Sequence, residues 1–168
     1  MIKNNYIMGE VIKWGIIGLG NVAHEFAKSF YNTKNAKLIA IASKSENKLS
    51  KFRANFNIET HNCHSDYEKL LKNNNIDIVY IALPNSLHYE WVIKAIKKNK
   101  NILVEKPAVL KRENANSIKK EILTKNLFFA EGYMYQYYPQ IKKIIEIINS
   151  GEMGRPVSME TSFGLNLL

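Results

Sequence analysis

The chain has 168 residues, 46% hydrophobic and 23% charged, with 24 basic and 15 acidic side chains for a net charge of +9 and a single cysteine, Cys63. That length supports one domain with a real core and is too short for two full ones. No apolar run approaches the roughly 18 residues that span a bilayer, one cysteine excludes a disulfide framework, and the basic residues are nearly all lysine, whereas base-edge reading leans on arginine.

In chain order, the N-terminal MIKNNYIMGEVIK carries charge and Asn but lacks the apolar core of a signal peptide. A cytoplasmic protein without membrane or nucleic-acid partners is expected, and Met8 is an alternative start because Met1–Ile7 has no pattern. Trp14–Ile17 reads as a short apolar strand running into glycines. NVAHEFAKSFYN follows with Val22, Ala23, Phe26, Ala27 and Phe30 at helical spacing. Leu38–Ala42 is a second strand, and ENKLSKFRANF a short helix with Leu49, Phe52 and Phe56 on one side. Ser65 and Glu68 form a capping-box pattern that opens a third helix. IDIVYIAL is an unbroken apolar strand, as a sheet covered on both faces requires. PNSLHYEWVIKAIKKNK then places His88, Trp91, Val92, Ala95 and Ile96 on one helical face. Ile102–Val104 is a strand, RENANSIKKEILTKN a helix with Ala115, Ile118 and Ile122 inward, and LFFAEGYM one more strand.

Strand and helix alternate from residue 13 to about 132, the signature of parallel βαβ units wound right-handedly into one sheet. The predicted class is α/β, a doubly wound parallel sheet of the Rossmann type over residues 1–132. After Gly132 the texture changes. YMYQYYPQ is aromatic and irregular, QIKKIIEIINSGEMG is a helix with Ile141, Ile144, Ile145 and Ile148 inward, and RPVSMETSFGLNLL reads as a strand. Residues 133–168 are expected to begin a second, α+β domain that is cut short.

Four stretches carry chemistry. GLGNVA, Gly18–Ala23, follows a strand and opens a helix. In this G-x-G-x-x-A pattern Gly18 permits the tight turn, Gly20 lets backbone approach a pyrophosphate, and Ala23 lets helix and strand pack closely. Asn21 and Val22 complete the turn at the helix N-terminus, where free N–H groups favour phosphate. IASKS ends the second strand with Ser43 and Lys44 where a site for unphosphorylated ribose usually holds Asp or Glu. A hydroxyl and an ammonium suit a 2′-phosphate, so NADP is expected, with NAD as the alternative. In LPNSLHYEW, Leu83, Pro84 and Asn85 end a strand at the ligand crevice of such sheets, and Asn85 or Ser86 can cap the next helix. His88 in its first turn suits either a structural or a functional role.

The fourth stretch is ILVEKPAVL. Glu105, Lys106 and Pro107 fall at the carboxyl end of a central strand, on the edge that carries Gly18, Ser43 and Pro84. An ammonium there can bind a substrate hydroxyl, stabilise charge on a carbonyl oxygen, or shuttle a proton. Pro107 fixes the turn, and its peptide bond is a candidate for the cis form. Three other features take a structural reading. His61, Cys63 and His64 lie close together but match no standard metal spacing, so no metal is expected. The tyrosines at 133, 135, 137 and 138 suit a packed junction, and Lys97, Lys98 and Lys100 a solvated helix end.

Taken in order, WGIIGLGNVA, IASKS, YIALPNSLHYEW, ILVEKPAVL and EGYMYQYYPQ resemble the Gfo/Idh/MocA family, with IASKS and EGYMYQYYPQ most similar to NADP-dependent dihydrodiol and xylose dehydrogenases. The resemblance implies a two-domain oxidoreductase that moves hydride between a nicotinamide and a sugar-like or cyclic alcohol, a small-molecule substrate. It implies that Lys106 is the catalytic lysine. It implies that Gly18, Gly20 and Ala23 form the cofactor loop, and that Pro84, Asn85 and His88 line the ribose and nicotinamide side. Glu105 accompanies Lys106 at the cofactor. Family members often carry Arg and His where this chain has Gln136 and Tyr138. Their second domain supplies further acid–base residues and assembles homo-oligomers. The expectation is that this chain holds the cofactor portion and is inactive alone, with a non-catalytic nucleotide-binding module as the alternative.

Overall fold

The computed structural model describes residues 11–162 and 164. By contact density the chain divides into two compact units, 1–132 and 133–168. The first alternates strand and helix as β1 (Ile12–Ile17), α1 (Asn21–Lys28), β2 (Ala36–Ala42), α2 (Glu46–Phe56), β3 (Cys63–His64), α3 (Tyr67–Leu71), β4 (Ile78–Ile81), α4 (Asn85–Lys97), β5 (Asn101–Val104), α5 (Arg112–Lys125) and β6 (Phe129–Glu131).

All six strands run parallel in the order β3-β2-β1-β4-β5-β6. The pleat sends alternate side chains to opposite faces. Ile16, Ile41 and Tyr80 join Ala23, Ala27, Leu49 and Phe52 under α1 and α2. Ile17, Val79, Ile81 and Ile102 join Leu70, Trp91, Val92 and Ile118 under α3, α4 and α5. Coverage on both faces explains why β4, IVYI, is buried at every position. Ile16, Ile17, Ile41 and Ile81 are fully buried, each stabilising the fold by about 1.5–3 kcal/mol relative to exposure. The sequence leaves β1 toward β2 on one side and reaches β4 on the other. The carboxyl ends of β1 and β4 therefore flank a topological switch point, where sheets of this kind open a ligand crevice.

Several local expectations are corrected. The first helix stops at Lys28, and Ser29–Asn32 continues it as a tighter 3-10 turn. The cap of α3 is Asp66, not Ser65: its carboxylate accepts from the Glu68 N–H at 2.9 Å. Neither Asn85 nor Ser86 caps α4; Pro84 holds that position, with no side-chain bond, and Asn85 is the first helical residue. Pre-proline geometry and the fixed proline φ make the entry instead. Cys63–His64 forms a two-residue strand, β3, that the sequence reading passed over.

In the second unit Met134–Tyr137 forms a 3-10 turn, and α6 (Pro139–Ser150) ends at Gly151, whose φ is +74°. Tyr135 packs edge-on to Tyr133 and to Tyr138, at centroid distances of 5.8 and 5.4 Å. The isoleucine stripe of α6 exists but is not inward: Ile144, Ile145 and Ile148 are 40%, 51% and 37% exposed. Residues 155–162 form no strand, having no partner to pair with among the described residues of their unit. Residue 163, residues 165–168 and the reading of Met8 lie outside the described residues, and residue 164 is in no strand.

Candidate cofactor crevice

The turn after β1 is glycine for two unrelated reasons. Gly18 has φ +90°, and a Cβ there would lie 2.4 Å from the Ala82 carbonyl oxygen and 2.9 Å from Leu83 Cδ2. Its lack of a side chain brings the loop against the segment leaving β4. Gly20 is extended, exposed, and would meet no protein atom within 4 Å if it carried a Cβ. Nothing among the described residues requires glycine at that position; what a side chain would obstruct is the space over the loop. Ala23, fully buried, brings α1 close to the sheet, while Asn21 and Val22 stay exposed. The N-terminus of α1 has no side-chain cap and no acidic residue in its first turn, so its N–H groups are open to an anion. These residues fit the pyrophosphate of a dinucleotide.

Beyond β2, Ser43 is buried and its hydroxyl is engaged locally, accepting from the Ser45 N–H at 3.2 Å. The Ser43 N–H donates to the His64 carbonyl at 3.0 Å, tying this turn to β3. Lys44 is exposed, with its ammonium 5.8 Å from the Tyr67 ring centroid and no ion pair among the described residues. Of the two, Lys44 is the group presented outward.

At the carboxyl ends of β4 and β5 the chain builds a braced turn. Glu105 N–H donates to the Ile81 carbonyl at 3.0 Å. The Glu105 carboxylate accepts from the Tyr80 hydroxyl at 2.6 Å and from the Lys106 N–H at 3.3 Å. Burial, then the bond to Glu105, holds the Tyr80 phenol far above its ordinary range. Gly132 passes so near that a Cβ there would lie 3.0 Å from Glu105 Oε1. The Lys106–Pro107 bond is cis. The next residue, Ala108, donates its N–H to the Glu131 carboxylate at 2.7 Å. His88 is fully buried, with Nδ1 2.7 Å from the Pro107 carbonyl and Nε2 2.7 Å from the Leu83 carbonyl. Lys106 itself is exposed, and its ammonium has no hydrogen-bond partner among the described residues. The parallel order β1-β4-β5 puts the glycine turn, Leu83–Asn85 and Glu105–Lys106 on one edge.

Residues 12–133 match the family described as "Oxidoreductase family, NAD-binding Rossmann fold", Gfo/Idh/MocA. The chain belongs to this family. Among Gfo/Idh/MocA relatives, it is 34% identical over 150 residues to "Oxidoreductase P35" of Formosa agariphila, covering 89% of this chain and 46% of that protein. It is 30% identical to a D-xylose 1-dehydrogenase (NADP(+)) of Hypocrea jecorina, covering 85% of this chain and 39% of the relative. The crystal structure of apo scyllo-inositol dehydrogenase from Lactobacillus casei superposes with a TM-score of 0.81 at 25% identity, covering 88% of this chain and 44% of that one. The chain spans less than half the length of the relatives it matches.

Set in the Gfo/Idh/MocA fold, two residues missed by sequence reasoning stand out. Tyr80 is a lone hydroxyl inside an apolar strand, a signal that was present. Glu131 ends β6, and nothing in its spacing points to Ala108. No grouping of His, Cys, Asp and Glu suited to a metal occurs among the described residues. Burial raises the Cys63 thiol, and burial with the nearby Lys69 charge lowers His64.

Proposed function

We propose that these residues form the cofactor-binding portion of an NADP-dependent dehydrogenase acting on a sugar-like or cyclic alcohol. The observation that carries this reading is the pairing of an anion-ready glycine turn with an unpaired lysine on one edge of the sheet. The α1 N-terminus and Gly20 would hold the pyrophosphate, and Lys44 the 2′-phosphate. Leu83, Pro84 and Asn85 would border the nicotinamide side. Bound there, the nicotinamide supplies or accepts the hydride. Lys106 would hold the substrate oxygen by its ammonium, steadying charge as that carbon changes oxidation state. Relatives named for D-xylose and scyllo-inositol support the substrate class. Fluorescence titration tests the reading: NADPH should bind, and more tightly than NADH. Failure of both nucleotides to bind the folded chain refutes it.

A non-catalytic nucleotide-binding module is the second reading, since the glycine turn and Lys44 answer to the nucleotide alone. Turnover by a protein containing these residues together with a substrate domain separates the two.

A further inference from the structure

We propose that His88 is a positioning residue, a buried strut that donates from both ring nitrogens and fixes the Lys106 turn against the loop that leaves β4. Its purpose rests on the crevice reading above; its geometry does not.

Both nitrogens of His88 face carbonyl oxygens, Pro107 on one side and Leu83 on the other, each at 2.7 Å. A carbonyl can only accept. A neutral imidazole donates through one nitrogen, so on the neutral ring one of these contacts would set two lone pairs face to face. Both bonds form together only when each nitrogen carries a proton. The ring is fully buried, and no water can take the place of either bond. Two charge-assisted bonds to carbonyl dipoles offset part of the cost of burying that charge.

The two carbonyls belong to different walls of the crevice. Leu83 lies in the segment against which Gly18 is pressed, since a Cβ on Gly18 would meet Ala82 and Leu83. Pro107 adjoins Lys106 and, being proline, offers no N–H of its own for anchoring. His88 sits in the first turn of α4, where the Leu87 N–H to Pro84 carbonyl bond of 2.8 Å steadies the backbone. The strut therefore runs from the glycine turn through Leu83 and the imidazole to Lys106. Tyr80–Glu105 and Glu131–Ala108 brace the turn from its own flanks. His88 sets its distance from the phosphate loop.

The test begins with the unmutated chain. In a nitrogen-15 correlation spectrum at neutral pH, both His88 ring nitrogens should report bound protons, assigned by the signals lost in His88→Gln. A ring with one bare nitrogen overturns the proposal and needs no variant to fold. The second measurement is amide exchange at Ala108, beside the turn, with Ile16 and Ile41 as sheet references. Exchange at Ala108 should rise about tenfold in His88→Gln, the scale of one lost hydrogen bond, and further in His88→Phe. A role in filling space alone predicts the reverse order, because Phe keeps the ring shape, and that order would overturn the strut. NADPH affinity is the third arm. It should fall several-fold in His88→Gln, and unchanged affinity in a variant whose Ala108 exchange has risen overturns the positioning role. If the unmutated chain does not bind NADPH, the crevice reading fails while spectrum and exchange still decide the strut.

Discussion

Gly18 and Gly20 are two residues apart, yet replacing them should damage different things. Gly18→Ala places a Cβ at φ +90° and 2.4 Å from a backbone oxygen, so the fold itself should lose about 1–3 kcal/mol or more on chemical denaturation. Gly20→Val crowds none of the described residues at its Cβ and should leave stability nearly unchanged while abolishing NADPH binding. A folded Gly20→Val chain that still binds NADPH would place the nucleotide elsewhere. Lys44→Asp should invert the preference to NADH. The ammonium is exposed, so the change is on the order of 1 kcal/mol, about fivefold in relative affinity. Equal NADPH and NADH affinities before mutation would remove the basis of this prediction. The glycine pattern was legible because each position answers to a single steric demand. The roles of Ser43 and Ser65 were not, because neighbouring hydroxyls and carboxylates compete for the same N–H groups. Ser43 serves its own turn, and Asp66 takes the cap that Ser65 was expected to make.

Among the elements, β4 and β5 are joined by more than their ladder, since the Tyr80 hydroxyl crosses from β4 to the Glu105 carboxylate just past the end of β5. Tyr80→Phe keeps the ring packing and removes the donor. It should cost roughly 1–3 kcal/mol, the scale of a buried acceptor left short, read from the denaturation midpoint. No change in midpoint would mean that water replaces the phenol freely. The long apolar strands and amphipathic helices of this sheet could be read directly from period and punctuation. β3 could not, because two residues have no period and are strand only by pairing with Ile41 and Ala42. The stripe on α6 was read correctly as apolar and wrongly as covered, since amphipathicity records a need for a partner and not its presence. Residues 155–162 make the same point for strands, because alternation without a neighbouring edge yields no ladder.

For the molecule as a whole, the carboxyl edge of the sheet gathers the uncapped α1 N-terminus and the exposed ammonium groups of Lys44 and Lys106. The family match covers residues 12–133, an NAD-binding Rossmann fold, and we propose that the groups that orient an alcohol and exclude water are not among them. Positioning of that kind is worth on the order of 7–11 kcal/mol of barrier. The 168 residues should therefore bind NADPH and show no measurable oxidation of pentoses or inositols, and robust turnover would refute this assignment of parts. The burial of Tyr80, and then its bond to Glu105, also gives the whole fold an alkaline limit. Native Tyr80 keeps its proton above pH 10, where an unfolded tyrosine releases it, so the unfolded state binds fewer protons and stability falls as pH rises. Lys100, expected at a solvated helix end, is instead buried, its ammonium donating to the Asn73 and Ile76 carbonyls at 2.6 and 2.8 Å. It works in the opposite direction, since burial depresses its native value. Its contribution is complete once unfolded lysine titrates near 10.5, leaving the tyrosine dominant beyond that point. In an ultraviolet titration the last phenolate should appear together with the loss of helical circular dichroism. In Tyr80→Phe that coincident step should vanish, and its persistence would assign the alkaline limit to another group.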